Sequence, residues 1–278
     1  MTNVLIPTDF SENACNAIQY GVQFFENEPT NFYLLHISLI ELNSAGHDAA
    51  ANSIIYNPEN VVGIIDQLKE VEKRIEETFP KTSHKFYVQQ EHGFFIDGIK
   101  KTIENKHIDF IVMGTKGATG LKEAIVGTRT SEVITRVKCP VLVVPEKAKY
   151  ETPNQLAFPT DFNSYYKNKV LLTLAEVVEI NQSAIHVLHI TKRGQALTSP
   201  QKKNKNYLED FLQGSEYSFH FLPSRNIENA LQLFIKENSI DIIVMVAKNL
   251  NFVQRILFEP TVTKISYHTE IPFLVLHD

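Results

Sequence analysis

Excess positive charge is missing from this sequence, and its absence excludes a class of function. Lysine and arginine number 27 against 32 aspartate and glutamate residues, a formal net charge of -5 at pH 7. Binding to a nucleic-acid backbone requires a concentrated basic face. The one marked basic cluster, Lys202, Lys203 and Lys205, lies in a polar stretch that predicts a solvated loop or helix start. We therefore expect no nucleic-acid partner.

Long hydrophobic runs and cysteines are also scarce. No apolar run approaches the ~20 residues needed to cross a bilayer, and the first residues form a strand pattern without the basic stretch of a signal peptide. We expect no membrane partner and a cytoplasmic location. Cys15 and Cys139 have no CxxC or Cys/His neighbourhood, so we predict two buried apolar residues rather than a disulfide framework or zinc site.

Common catalytic signatures are missing as well. The sequence has no P-loop, no Gly-x-Gly-x-x-Gly dinucleotide fingerprint, no Gly-x-Ser-x-Gly elbow and no His-Glu-x-x-His helix. Its 10 histidines are scattered. His36 and His189 occupy equivalent positions in two strand patterns, which predicts a role in packing. We expect no catalytic residues and no metal held by protein ligands.

What the sequence does contain is an internal repeat. Residues 7–10, 35–37, 108–113 and 140–143 recur in the same order as residues 159–162, 188–190, 240–245 and 272–275. The last two pairs share an offset of 132 residues, so no insertion separates them. This pattern predicts a duplicated domain. We place the domains at residues 1–146 and 154–278, joined by a polar segment.

Within each copy, short apolar strands alternate with amphipathic helices. The first helix is predicted to begin at Ser11, a suitable N-cap. Such alternation predicts a parallel sheet covered on both faces. The expected fold class is α/β, with two tandem doubly wound, Rossmann-like domains of five parallel strands each, related by pseudo-two-fold symmetry. Ligands of these sheets bind beyond the carboxyl ends of the strands, where Asp9, Ile37 and Gly114 are expected.

The segment after the fourth strand carries the strongest functional signal. Its glycines at 114, 117 and 127 allow the backbone to lie close to a ligand. Gly127 and Thr128 directly precede a predicted helix, whose free N–H groups and positive dipole end would favour a phosphate. The Thr128 hydroxyl adds a donor, and Lys116 and Arg129 add positive charge. We predict a nucleotide site here.

These motifs resemble the universal stress protein family in its tandem-domain form. The family's nucleotide signature is Gly, two residues, Gly, nine residues, Gly, then Ser or Thr. The chain matches it without a gap at Gly114, Gly117, Gly127 and Thr128. The family's first-strand signature is matched at residues 7–11, and its Cys-Pro-Val-Leu-Val-Val ending at residues 139–144. The resemblance covers nearly the whole chain.

The resemblance implies one bound ATP, or ADP or AMP, with Mg²⁺ on its phosphates. The base would lie near Pro7, Thr8, Asp9 and Ile37. The ribose and phosphates would lie over Met113, Gly114, Lys116 and Gly117, followed by Gly127, Thr128, Arg129 and Thr130. The resemblance also implies pairing of the two domains through their last strands, residues 141–144 and 273–276. It leaves open whether two chains join into a homodimer.

The second copy lacks the signature. The shift of 132 residues places Val246, Asn249, Glu259 and Pro260 where the first copy has Gly114, Gly117, Gly127 and Thr128. A branched side chain, a carboxylate and a missing N–H donor all oppose a phosphate. We therefore predict that the C-terminal half does not bind a triphosphate in this mode. Asp161, the counterpart of Asp9, is then expected to serve local structure.

The function expected from these features is that of a nucleotide-dependent regulatory module of the stress response, acting on an unidentified protein partner. A second hypothesis is a slow ATPase or autokinase in which Asp9, Lys116 or Thr128 takes part. A third is a purely structural dimerisation protein without a ligand. No general base or water-positioning group is evident in the sequence, so any hydrolysis is expected to be slow.

Overall fold

A computed structural model describes residues 1–38, 58–80, 83–115, 128–163, 165–191, 195–247 and 271–277. Strands and helices alternate through the first half of these residues. They are β1 Thr2–Pro7, α1 Glu12–Phe24, β2 Thr30–Ser38, α2 Pro58–Thr78, β3 Lys85–His92, α3 Phe95–Lys106, β4 Phe110–Gly114, α4 Thr128–Arg136 and β5 Val141–Val144. The second half repeats the order of strands. Its elements are β6 Gln155–Pro159, α5 Asn168–Asn181, β7 Ala184–Thr191, α6 Ser199–Leu212, β8 Tyr217–Pro223, α7 Ile227–Glu237, β9 Ile242–Val246 and β10 Phe273–Leu276.

All ten strands form one sheet, in the order β3-β2-β1-β4-β5-β10-β9-β6-β7-β8. Each half therefore has the same internal order of strands, and the order of the second half runs in the opposite direction across the sheet. Every neighbouring pair is parallel except β5 and β10. The predicted fold class, two doubly wound α/β units, is confirmed.

The two halves join through their last strands. Strands β5 and β10 pair antiparallel, with Leu142 opposite Leu274 at the centre of the ladder. All residues of both strands are buried, which fits their continuous apolar sequences. The expected pairing of residues 141–144 with 273–276 is therefore present. Because the seam is antiparallel, the carboxyl ends of the two sets of parallel strands point to opposite edges of the sheet.

Apolar side chains fill both faces of the sheet. On one face, α1, α2, α5 and α6 pack against β-strand residues such as Val4, Ile6 and Phe158. On the other, α3, α4 and α7 cover residues such as Leu5 and Ala157. Each of the two core clusters contains residues from both halves of the chain. Helix α1 begins as predicted, because the Ser11 hydroxyl accepts a hydrogen bond from the Ala14 N–H at 3.2 Å.

Two expectations about single residues need correction. Cys139 is buried, which raises the pKa of its thiol to about 12, but Cys15 of α1 is only partly buried. Lys202 and Lys203 are exposed, as expected of a helix start, whereas Lys205 is partly buried. Its ammonium group lies 4.2 Å from the centre of the Phe219 ring and 2.6 Å from a carboxylate oxygen of Glu209.

Among the helices of the described ranges, none is long and apolar enough to cross a membrane. The longest, α2, has 21 residues but carries charged side chains on its exposed face. Its apolar residues repeat at helical spacing, and Leu68 and Ile75 are buried against the sheet. The amphipathic pattern read from the sequence is therefore that of a helix lying on a protein core.

Candidate functional site

The loop after β1 is held by its own polar side chains. The Thr8 N–H donates to the Leu35 carbonyl at 2.8 Å, which extends the pairing of β1 with β2. The Thr8 hydroxyl then accepts from the Phe10 N–H at 3.1 Å. Asp9 Oδ1 accepts from both the N–H and the hydroxyl of Ser11, at 3.1 and 2.6 Å. These bonds support Phe10 at φ 63°, a left-handed conformation that is uncommon for a bulky residue.

His36 completes this loop from the neighbouring strand. Its Nδ1 donates to the Thr8 carbonyl at 2.9 Å, and its ring stacks on Phe10 with centroids 5.0 Å apart. The second half repeats the arrangement, since His189 Nδ1 lies 2.9 Å from the Thr160 carbonyl and its ring lies 5.0 Å from that of Phe162. The packing role predicted for both histidines is confirmed.

Asp161 makes the same kind of bond as Asp9. Its Oδ1 accepts from the Asn163 N–H at 2.9 Å, as Asp9 Oδ1 accepts from Ser11. The local structural role predicted for Asp161 therefore has a visible basis. Asp9 shares that role, so its presence in the first half does not by itself indicate a ligand.

Gly114 ends β4 in close contact with α1. A Cβ atom at this position would lie 2.5 Å from Asn13 Nδ2, far inside van der Waals contact. Asn13 is buried although it is polar. Gly114 therefore has a structural reason to be glycine, in addition to the approach of a ligand that the sequence predicts.

Helix α4 starts beside the end of β4. The Thr130 hydroxyl donates to the Gly114 carbonyl at 2.8 Å, which fastens the first turn of the helix to the strand. Thr130 is buried, while Thr128 and Arg129 are exposed. The Arg129 guanidinium lies over the Phe95 ring, 5.2 Å from its centre. The hydroxyl of Thr130 is thus used within the protein, and Thr128 and Arg129 remain exposed at the helix N-terminus.

The strand order brings these segments together. Strand β1 lies between β2 and β4. The chain continues from β1 to β2 and β3 on one side and then crosses to β4 and β5 on the other side, so the strand order reverses at β1. Ligands of open α/β sheets bind at such a reversal. The pKa of His36 is affected by groups from several of these segments. Burial lowers the pKa of His36 most; Arg129 lowers it further and Asp9 raises it. Charged groups from the loop after β1 and from α4 therefore act on one region.

Ile37 and Met113 lie at this edge, but their side chains are largely covered. Both belong to the core under α3 and α4, and Ile37 packs so closely on α3 that a Cβ on Gly98 would lie 2.8 Å from its Cδ1. What these residues can present to a base is chiefly backbone. Pro7 ends β1 opposite Leu35 and would likewise present chiefly its backbone to a base.

Three of the predicted site residues, Lys116, Gly117 and Gly127, lie outside the described residues, as do Asn249, Glu259 and Pro260 of the second copy. Sequence analysis also missed two neighbours of the site, Asn13 and Phe95. The signal for Asn13 was a polar residue on the face of α1 that packs against the sheet. Phe95 gave no signal in the sequence, because its contact with Arg129 depends on how α3 and α4 pack.

At the corresponding edge of the second half, two side chains of α6 bond to the loop after β6. Gln201 of α6 donates to the Asp161 carbonyl at 2.9 Å, and Asn204 donates to the Phe162 carbonyl at 2.8 Å. Phe162 is fully buried, whereas Phe10 is partly exposed. Val246, in the place of Gly114, is buried as well.

Comparison with known proteins agrees with this architecture. A sequence model described as the universal stress protein family matches residues 1–145. The universal stress protein MJ0577 of Methanocaldococcus jannaschii is 29% identical over 158 residues, covering 52% of this chain and 94% of that protein. Slr1230, a universal stress protein of Synechocystis, is 21% identical over 297 residues and 99% of both chains.

One solved structure extends the likeness of fold to both halves. The crystal structure of a universal stress protein from Archaeoglobus fulgidus has a TM-score of 0.70 and 16% identity, covering 99% of this chain and 98% of that one. The family sequence model spans more than half of the 278 residues and includes the loop after β1, the end of β4 and the start of α4. This chain belongs to the universal stress protein family.

Proposed function

We propose that the chain is a nucleotide-dependent regulatory protein that binds one ATP, or another adenine nucleotide, at the carboxyl edge of its N-terminal half. The observation that carries the proposal is the meeting of the Asp9 loop, the end of β4 and the N-terminus of α4 at the reversal of strand order. A helix N-terminus with exposed Thr128 and Arg129 offers N–H donors, a hydroxyl and a positive charge to phosphate.

The residues present fit a nucleotide better than a metal ion alone. Asp9 Oδ1 already accepts two hydrogen bonds from Ser11, so Mg²⁺ would be held mainly by phosphate oxygens and water, as is usual for this ion. The base would meet the backbone near Thr8 and Ile37. The bonds of Gln201 and Asn204 to the loop after β6, with Val246 in the place of Gly114, support a single site per chain.

The first test is a calorimetric titration of ATP with Mg²⁺ into the full chain. We expect one site per chain. Arg129→Ala should weaken binding by about tenfold, because a charge-assisted contact to phosphate is lost. The matched control is Arg136→Ala, an exposed arginine in the last turn of the same helix, which should bind like the unmodified chain.

Gly127→Glu, which installs the residue of the second copy, should abolish the site. Two equivalent sites per chain would contradict the asymmetry of the halves. An absence of any binding would contradict the proposal and favour the purely structural hypothesis. Phosphate release far above that of Gly127→Glu would favour the slow ATPase.

A further inference from the structure

The sheet of the C-terminal half brings together two histidines that are distant in sequence. His186 lies on β7 and His220 on β8, where Ser218 is directly opposite His186 in the parallel ladder. His186 Nδ1 lies 3.2 Å from His220 Nε2. The Ser218 hydroxyl lies 3.1 Å from the first of these nitrogens and 2.8 Å from the second. Three potential donor atoms for a metal ion therefore converge on one space.

The second nitrogen of the His186 ring is already bonded. Its Nε2 donates to Gln155 Oε1 on β6 at 2.6 Å, since an amide oxygen can only accept. A neutral ring then carries its lone pair on Nδ1, facing His220 and Ser218. Metal-bound histidines have this arrangement, in which the outer nitrogen donates to a fixed acceptor.

The site can be reached from solvent. His186, Ser218 and His220 are each partly exposed, which leaves a path from solvent.

Phe234 of α7 holds both rings in place. Its ring centre lies 4.8 Å from that of His220 and 6.0 Å from that of His186, both in edge contact. Because the rings are packed rather than free to rotate, binding an ion there requires little loss of side-chain entropy.

The fold itself does not require histidines at this position. The repeat makes Tyr33 the counterpart of His186, and the registers of the two strand pairs make Tyr87 the counterpart of Ser218. In the first half these tyrosines stack with ring centres 5.0 Å apart. The counterpart of His220 is Gln89, so the first half has neither imidazole at the equivalent positions.

We propose that His186, His220 and Ser218 bind a divalent transition-metal ion of the Zn²⁺ class. The two imidazole nitrogens, 3.2 Å apart, can each lie about 2.1 Å from one ion, with the Ser218 hydroxyl beside it. No three His, Cys, Asp or Glu side chains stand together as a metal site in the described part of the chain, so the ion would have two imidazole ligands and water would fill its remaining positions. No protein-ligated metal is expected from the sequence, in which the histidines are scattered; His186 and His220 are 34 residues apart.

The test is a titration of Zn²⁺ into the full chain after treatment with EDTA and removal of nucleotide, since ATP itself binds metal ions. We expect one saturable site in the unmodified chain. His220→Gln, which keeps a polar side chain, should weaken it by at least about tenfold. His92→Gln removes an exposed histidine of the other half and should change nothing.

Thermal unfolding provides a second readout that does not depend on the calorimetric fit. Zn²⁺ should raise the Tm of the unmodified chain and of His92→Gln, because a ligand of the folded state stabilises it, but not that of His220→Gln. No saturable Zn²⁺ binding, or equal affinity in His220→Gln, would overturn the proposal. The cluster would then be a hydrogen-bonded packing feature only.

Discussion

Gly114 has two explanations that a double substitution can separate. A Cβ atom at position 114 would lie 2.5 Å from Asn13 Nδ2, so glycine avoids a clash there. The missing side chain also leaves room for the proposed ligand. Gly114→Ala should destabilise the fold by about 1–3 kcal/mol through overpacking. Adding Asn13→Ala should restore most of the free energy of unfolding, which denaturant titration measures.

Nucleotide affinity distinguishes the second role of Gly114. In the double variant we expect the affinity for ATP to remain reduced, because the methyl group still stands where the backbone approaches the ligand. Full recovery of both stability and affinity would show that Gly114 serves only its contact with Asn13. Asn13→Ala alone is the control for the loss of the amide.

Helix α4 is anchored at both ends, and the anchor at its C-terminal end comes from the other half of the chain. His277, which follows β10, is buried and donates through Nε2 to the Ile134 carbonyl at 2.8 Å. The last carbonyls of a helix have no partner within it, so this bond satisfies one of them. The helix proposed to bind phosphate therefore rests on the second half as well as on Gly114.

This anchor predicts a contribution to acid sensitivity. Burial lowers the pKa of His277 from the ordinary 6.5, and nearby Lys169 lowers it further, while carbonyl contacts oppose both. As the pH falls through 6.5 the unfolded chain binds a proton before the folded one does, so stability is lost. His277→Gln should lose less stability between pH 7.5 and pH 5 in denaturant unfolding.

The matched control for this pH effect is His92→Gln, whose exposed ring should leave the acid loss unchanged. Glutamine can still donate to the Ile134 carbonyl, so the variant should keep most of its stability at pH 7.5. An identical loss in His277→Gln and the unmodified chain would show that other histidines account for the pH dependence.

The helices and strands were predictable because their signals are local. The spacing from Val61 to Ile75 indicates a helix whatever surrounds it, and the apolar run from Val141 to Val144 indicates a buried strand. The repeat then indicated that the same succession of elements occurs twice. The contacts of Asn13 with Gly114 and of Gln201 with the Asp161 loop were not predictable, because each joins residues that only the packing of helices on the sheet brings together.

The His186–His220 pair eluded prediction for a related reason. The two residues have no recognisable spacing, and the register between β7 and β8 alone makes them neighbours. A motif search examines distance along the chain, whereas a parallel sheet connects residues across a whole crossover. The second half thus has a histidine cluster that no motif in the sequence reveals.

The two halves should unfold together, since each core cluster draws residues from both. The chain has no tryptophan, so single reporters can be placed without interference. Tyr87→Trp on β3 and Phe221→Trp on β8 sit on the two outermost strands at positions that are 42% and 46% exposed. Denaturant unfolding followed by fluorescence should give the same midpoint for both. Two separate midpoints would show that the halves are independent.

The antiparallel seam between β5 and β10 also determines how the protein responds to its own concentration. Because β5 and β10 belong to one chain, each strand is always present near the other at an effective concentration in the millimolar range for short connections. Dilution therefore cannot separate the two strands, and a separate copy of either half would compete poorly for pairing with β5 or β10. If the chain binds a nucleotide as proposed, a signal that opened this seam would have to overcome that effective concentration. A change at the loops and helix ends that surround the nucleotide would not, and a partner bound at that edge could detect it.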